Sequence, residues 1–150
     1  MTDYFAVLDQ PRSAWLDVAA LKEKFHERAR TEHPDAGGAN FEELNIAYRT
    51  LADPKSRLAY LLELTGAKPA AVTEPPADLV DLFFETGNAL KGSKAMVELH
   101  LTRLTKVRDQ VIEGVRTLDY RDTRQLTDAH QRLAFLDRWM GQLNEKLIQA

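Results

Sequence analysis

The sequence predicts an all-α protein. Apolar residues recur at three- and four-residue steps through most of the chain, which is the spacing of amphipathic helices. No segment shows the alternation of apolar and polar residues that indicates a half-buried strand. Prolines and glycines interrupt the helical pattern at intervals, and these residues favour turns and loops. We therefore expect helices joined by short connections and grouped into two modules.

The first module is expected to begin with a short helical turn over residues 4–8, which ends before Pro11 because proline cannot continue a helix. A longer helix is predicted from Asp17, as the N-cap, to about Glu32, since Pro34 restricts the residue before it. The apolar side chains of this helix form one face: Val18, Leu21, Phe25 and Ala29.

A second helix is predicted to begin at Phe41, because Asn40 followed three residues later by Glu43 matches a capping box. Its apolar face consists of Phe41, Leu44, Ala47, Tyr48 and Leu51. Two helices joined by a short loop pack antiparallel, so the two faces should form the core of a small hairpin. A third helix is predicted from Asp53-Pro54, a cap followed by proline, to Gly66.

A linker is predicted at residues 67–75, where prolines and small residues replace the helical pattern. The proposed division is therefore a module at 1–66 and a second module at 76–150. The second module should contain helices near 78–90 and 94–118, a turn at 119–122 and a final helix. That last helix carries a heptad-like seam of Leu126, Ala129, Leu133, Leu136, Met140, Leu143 and Leu147. Three such helices predict an antiparallel bundle.

Composition excludes several classes of protein. The chain has 150 residues, 44% of them hydrophobic, which is enough for one ordinary core or two small ones. Cysteine is absent, so disulfides, thiolate metal sites and thiol nucleophiles are excluded. The net charge is −3, and no broad basic surface for nucleic acid is expected. A signal-peptide pattern and a membrane-spanning apolar run are both lacking in the sequence, which predicts a cytoplasmic protein.

The tripeptide His33-Pro34-Asp35 lies between the two hairpin helices. A histidine beside an aspartate could serve as a base with an orienting carboxylate. However, the sequence offers no identifiable nucleophile, oxyanion-binding loop or enclosed pocket, so we assign no catalytic residue. The spacing of the four histidines does not match a ligand set, and neither a metal nor a cofactor is expected.

A docking role suits this tripeptide better. Lys22, His26 and Arg30 fall at four-residue steps on one helix face, and this basic stripe leads into the tripeptide. The proline fixes the turn, while the histidine and the aspartate present a donor and an acceptor to a partner. A charged stripe alone is more often a solvated face. Its continuity with the turn favours a surface that steers an acidic partner.

The order of motifs along the chain resembles a J domain: Asp3-Tyr4-Phe5, then His33-Pro34-Asp35, then Asp53-Pro54 and the run RLAYLL at 57–62. Two further stretches resemble the HscB family of iron-sulfur co-chaperones. They are RLAYLLELTG after the hairpin and RLAFLDRWMGQLNEKL near the C-terminus. The similarity runs through the whole chain in the same order, and the glycine/phenylalanine-rich region and zinc module of general J proteins are missing.

The resemblance implies a non-enzymatic co-chaperone with two partners. Its J domain would stimulate ATP hydrolysis by a DnaK- or HscA-type chaperone, and its bundle would deliver an IscU-type iron-sulfur scaffold protein. Chaperone binding is then assigned to His33, Pro34, Asp35, Lys22, Lys24, His26 and Arg30. Client binding is assigned to Leu79, Val80, Phe83 and Phe135, which would otherwise be interpreted as ordinary bundle core. Since adjacent helical residues point about 100° apart, one residue of the Phe83-Phe84 pair should be exposed or lie at an interface.

The chain departs from the family pattern at several positions. Glu32 and Ala36 flank the tripeptide where the family usually has an aromatic residue and a lysine. The charged Glu/Arg pattern expected on the first bundle helix is replaced by Phe84, Thr86, Gly87 and Asn88. Two alternatives therefore stay open: a J-domain adaptor for a different client, and a structural helical bundle in which the tripeptide is accidental.

Overall fold

The computed structural model describes residues 3–32, 40–67 and 74–149, and in these ranges all regular secondary structure is helical. This confirms the predicted fold class. The helices are α1 (Tyr4–Val7), α2 (Val18–Glu32), α3 (Phe41–Ala52), α4 (Pro54–Leu64), α5 (Val80–Leu90), α6 (Lys94–Gly114) and α7 (Thr123–Gln149). Short 3₁₀ turns precede α5 at Ala77–Leu79 and follow α6 at Val115–Thr117. His33-Pro34-Asp35 lies outside the described residues. None of the described helices is both long enough and apolar enough to cross a membrane.

The helices α2 and α3 pack against each other and form the predicted hairpin. Their contact includes the stacked rings of Phe25 and Tyr48, whose centroids are 4.4 Å apart. The opening helix α1 lies against α3. It is also fixed to α4, because the backbone N–H of Tyr4 donates to the Tyr60 hydroxyl at 3.0 Å and the two rings stack at 4.6 Å. Helices α1 to α4 thus all contribute to the first hydrophobic core.

Helix boundaries in this module follow the predicted caps in most places. The Asp17 carboxylate accepts the backbone N–H groups of Ala19 and Ala20 at the start of α2. Asp53 caps α4 with a bond of 2.9 Å from the Ser56 N–H, and Gly66, with φ of +82°, follows the end of α4.

The predicted capping box at Asn40 was wrong. The Asn40 side chain makes no capping hydrogen bond, and its backbone has φ of −109° and ψ of 17°. An N-cap residue typically has an extended backbone that aims its side chain at the first free N–H groups. The predicted inner face of α2 is also shorter than expected, because Val18 is 43% exposed whereas Leu21 is fully buried.

Arg57 is a buried cation in the first core, with 1% of its surface exposed. Its Nε donates to the Ala14 carbonyl at 2.9 Å and one terminal nitrogen donates to the Leu51 carbonyl at 2.6 Å. Desolvation by burial lowers the pKa of Arg57 to about 10, against the opposing attraction of Asp53. The side chain therefore stays charged at neutral pH and ties α4 to the α1–α2 connection and to the end of α3.

The second module is the predicted three-helix bundle, in which α5, α6 and α7 contact one another. The seam of α7 is confirmed. Five of its seven residues are buried, namely Leu126, Ala129, Leu133, Leu136 and Leu143, while Met140 and Leu147 are partly buried. The predicted helix at 94–118 ends as an α-helix at Gly114 and continues as a 3₁₀ turn.

Helix α7 belongs to both cores. Leu126, Ala129 and Leu133 pack into the first core with the leucines of α4, whereas Leu136, Trp139 and Leu143 lie in the second. The predicted division at 67–75 stays a prediction, since most of that stretch lies outside the described residues and the packing of α4 with α7 continues across the two parts.

Candidate functional site

The basic face of α2, formed by Lys22, His26 and Arg30, is exposed in the structure. None of the three side chains lies within ion-pair distance of a carboxylate in the described part of the chain. Lys24 differs, because its ammonium lies 3.3 Å from Glu27 and 3.8 Å from Asp9. Of the four predicted docking side chains, the three at four-residue steps are therefore the ones that make no ion pair with a described residue.

The opposite side of α2 is anchored. Arg28 donates to both oxygens of Asp9 at 2.8 and 2.7 Å, and this hydrogen bond is the main reason why the pKa of Asp9 is lowered. Asp9 adopts φ of 53°, a rare backbone conformation for a residue other than glycine. With Phe25 stacked on Tyr48 and Arg28 held by Asp9, the basic face is presented by a helix of fixed orientation.

The bundle carries a second candidate surface, which we call the aromatic groove. It is a cavity of about 740 Å³ between α5 and α7, lined by Phe83, Phe84, Phe135 and Trp139 among others. The ring centroids are close: 5.3 Å for Phe83 and Phe84, 6.1 Å for Phe83 and Trp139, and 5.7 Å for Phe135 and Trp139. Such a row of rings offers a large apolar contact area to a partner side chain.

The predicted client residues occupy different positions around this groove. Phe83 is 46% exposed at the groove, and Phe135 lines it although only 5% of its surface is accessible. Val80 is half-buried, and Leu79 lies in the second core, outside the groove lining. The expectation of one exposed phenylalanine is exceeded, since Phe84 is 62% exposed as well. Their role in client binding stays a prediction.

Trp139 was missed by the sequence analysis, although it follows Phe135 by four residues and so shares its helix face. Its indole is only 4% exposed and bridges Phe83 of α5 and Phe135 of α7. Among the described residues, no group of three or more histidines, aspartates and glutamates is placed to hold a metal ion.

A buried polar pair holds α5 on α6 beneath the groove. The Thr86 hydroxyl donates to the Leu82 carbonyl at 2.7 Å. Because its single proton is used in that bond, it accepts the Nε2 proton of His100, 2.8 Å away. Burial lowers the pKa of His100, and it also lowers the pKa of His130 on α7. Both imidazoles are therefore favoured in the neutral form.

These two histidines predict that mild acid destabilises the protein. The unfolded chain, with ordinary imidazole pKa values near 6.5, takes up protons at a higher pH than the folded chain. The free energy of unfolding should therefore be greatest above pH 6.5 and decrease as the pH falls below it. Urea denaturation at a series of pH values from 7.5 to 5.5 measures this slope. The His100→Gln variant, whose amide can still bond Thr86, should have a shallower slope, and an unchanged slope would refute the contribution of His100.

Comparison with solved structures shows which known proteins share this fold. The structure is similar to chaperone HscB from Vibrio cholerae, with a TM-score of 0.76, 21% sequence identity and coverage of 99% of both chains. It is equally similar to human co-chaperone protein HscB, with a TM-score of 0.76, 23% identity, and coverage of 99% of this chain and 82% of that one. The chain therefore has the fold of HscB co-chaperones over nearly its full length.

The sequence comparison gives a likeness to a J protein. The chain is 39% identical over 66 residues to the chaperone protein DnaJ of Caulobacter vibrioides. The match covers 40% of this chain and spans about a sixth of that protein's length, 17%. No protein-family model matches the chain.

Proposed function

We propose that this protein is a non-enzymatic co-chaperone that stimulates the ATPase of a DnaK- or HscA-type chaperone and delivers an IscU-type iron-sulfur scaffold to it. The observation that carries the proposal is the HscB fold over nearly the whole chain, in a sequence that places His33-Pro34-Asp35 directly after the exposed basic face of α2. The local likeness to DnaJ supports the same assignment for the N-terminal module.

The N-terminal module would act as the chaperone-binding element. Lys22, His26 and Arg30 attract an acidic surface of the chaperone and raise the association rate. His33 and Asp35, which follow this helix in the sequence, would then supply a donor and an acceptor. A partner can shift the chaperone's conformational equilibrium only by binding one of its states more tightly. Stimulation therefore requires these contacts to be stronger in the hydrolysis-competent state.

The bundle would hold the client. Its aromatic groove provides two exposed rings, Phe83 and Phe84, on a floor made by Phe135 and Trp139. Aromatic anchors in a concave site supply much of the binding free energy at protein interfaces. Because α7 packs against α4 and also lines the groove, the client would be carried by the same helix that contacts the chaperone-binding module.

A steady-state ATPase assay tests the proposal. The turnover of a DnaK- or HscA-type chaperone is measured with increasing amounts of this protein, with and without an IscU-type scaffold. Stimulation by the protein alone supports the J-domain function, and a further increase with the scaffold supports the client assignment. Stimulation of the ATPase without binding of the scaffold would favour the alternative that the protein is a J-domain adaptor for a different client. An absence of stimulation would refute the main proposal.

The Phe83→Ala variant tests whether the aromatic groove binds the client. The substitution removes an exposed ring that contacts Trp139, and we expect the affinity for the scaffold to fall about tenfold, within the range of anchor residues at interfaces. Titration calorimetry with the scaffold measures the change. Leu99→Ala is the matched control, because Leu99 is a large apolar residue of α6 that is 68% exposed and lies outside the groove. Equal affinities for the two variants would show that the groove is not the client site.

A further inference from the structure

In the bundle, several carboxylates are paired with arginines, whereas the cations at the aromatic groove are not paired with a described carboxylate. Several carboxylates of the bundle are held in ion pairs within the protein, each with an oxygen to nitrogen distance of 2.6 Å. They are Glu85 with Arg103, Asp137 with Arg108, and Asp78 with Arg132. These acids are partly neutralised by their own arginines, which leaves less negative charge for a partner to meet.

The cations that line the groove are unpaired in the described part of the chain. Lys91 and Arg138 both line the cavity, and no carboxylate of a described residue lies within ion-pair distance of either. The Arg138 guanidinium lies 5.5 Å from the centre of the Phe135 ring, at the boundary between aromatic floor and solvent. Among the described residues that line the groove, Glu74 is the single acidic one.

Arg138 and Gln142 lie about one helical turn apart on α7, and both are exposed and line the groove. Glu145, seven residues after Arg138, is exposed on the same face, so the positive charge of α7 at this edge comes from Arg138. A segment that enters the groove along α7 would meet aromatic rings on one side and the Arg138 guanidinium on the other.

We propose that the aromatic groove selects an acidic, apolar client segment, with a bulky apolar side chain on Phe83 and Phe84 and flanking carboxylates on Arg138 and Lys91. The inference rests on the proposed client function and specifies its chemistry. It follows from charge complementarity between unpaired cations and a carboxylate-bearing partner.

Arg138 is the residue on which this selectivity should depend most. A guanidinium can bind a carboxylate through two parallel hydrogen bonds, and its position over the Phe135 ring restricts its freedom before the client arrives. Because the edge is exposed, its contribution should appear mainly in the association rate and should weaken as salt is added.

Peptide binding tests the proposal with Trp139 as the reporter. The chain has two tryptophans, so a Trp15→Phe background leaves Trp139 as the only indole. The probes are two short synthetic peptides with the same Leu-Leu-Phe core, one flanked by glutamates and the other by lysines. We expect the glutamate peptide to bind at least about fivefold more tightly, as a rim of complementary charge predicts, and the difference to shrink in high salt.

Charge reversal provides the decisive comparison. Arg138→Glu should lower the affinity for the glutamate peptide and raise the affinity for the lysine peptide. Arg124→Glu makes the same charge change at an exposed position of α7 outside the groove and should leave the preference unchanged. Equal binding of the two peptides to the parent protein, or equal effects of the two reversals, would overturn the inference.

Self-association is the competing occupant of the groove. Sedimentation of the parent protein and of Phe84→Glu distinguishes it, since a dimer that dissociates on this substitution would show that a second copy covers the aromatic rings. Such a dimer would overturn the inference, and a monomer at the concentrations of the peptide titration supports it. Neither measurement involves the chaperone, so a failure of ATPase stimulation would count against the proposed function and not against the groove chemistry.

Discussion

The His33→Gln variant is expected to lose nearly all stimulation of the chaperone's ATPase. In the proposed complex His33 makes a hydrogen-bonded contact in the partner's interface, and glutamine cannot reproduce the geometry of an imidazole. Removing one member of a buried, hydrogen-bonded pair at an interface costs about 2–5 kcal/mol. Stimulation at a fixed concentration should then fall by more than tenfold in the steady-state assay.

Two controls separate lost contact from lost folding. The thermal unfolding midpoint of His33→Gln should match that of the parent protein, because a contact made only in the complex does not stabilise the free protein. His26→Gln, on the exposed basic face, should reduce the apparent affinity only a few-fold, because residues at the rim of an interface contribute less than its buried contacts. Undiminished stimulation by His33→Gln would instead favour the structural bundle with an accidental tripeptide.

Elements with local signals could be predicted from the sequence. Asp17 and Asp53 cap helices because their side chains reach backbone N–H groups only a few residues away. Gly66 ends α4 through a backbone conformation that only glycine adopts readily. The capping box at Asn40 shows where this reasoning fails, since the motif needs an extended backbone that the residue types alone do not impose.

The sharing of α7 between two cores could not be predicted. Leu133 and Leu136 belong to one continuous seam, yet Leu133 packs with the leucines of α4 and Leu136 packs within the bundle. Periodicity identifies the buried face of a helix but not the partner of each turn. The same limit applies to Asp9 and Arg28, whose ion pair joins residues 19 positions apart.

The candidate site was predicted in part. The geometry of adjacent helical residues predicted exposure of one member of the Phe83-Phe84 pair, and the structure exposes both. Leu79 is in the second core, because it precedes α5 in a 3₁₀ turn that faces the bundle interior. The positions of Trp139 and Arg138 at the groove depend on how α5 and α7 meet, which no local pattern encodes.

Arg57 shows how the N-terminal module keeps its helices in place. A buried guanidinium is expensive to desolvate, and it is tolerated here because it bonds two carbonyls that would otherwise lack partners. These carbonyls belong to Ala14, before α2, and to Leu51, in the last turn of α3. The orientation of both hairpin helices, and hence of the basic face, therefore depends on one side chain of α4.

Arg57→Ala should be the most destabilising substitution in this module. It removes both hydrogen bonds, leaves two buried carbonyls unsatisfied and opens a cavity in the first core. Breaking a buried network of this kind costs about 3–5 kcal/mol, a large part of the stability of an ordinary domain. Urea denaturation followed by circular dichroism measures the loss. The control Arg49→Ala, at an exposed position of α3, should change stability by less than about 0.5 kcal/mol.

Two further variants separate the hydrogen bonds from the volume of the side chain. Arg57→Met fills most of the space and removes the buried charge, so it should cost less than alanine while still leaving the carbonyls of Ala14 and Leu51 unpaired. Arg57→Lys keeps a charge, but a single ammonium cannot replace the two guanidinium nitrogens that bond these separate carbonyls. If the Arg57→Met variant is as stable as the parent protein, the two hydrogen bonds make no net contribution to the free energy of unfolding, and Arg57 contributes only through packing. If the stabilities of Arg57→Lys and Arg57→Met both lie between those of the parent protein and Arg57→Ala, the two hydrogen bonds from the guanidinium hold the hairpin to α4.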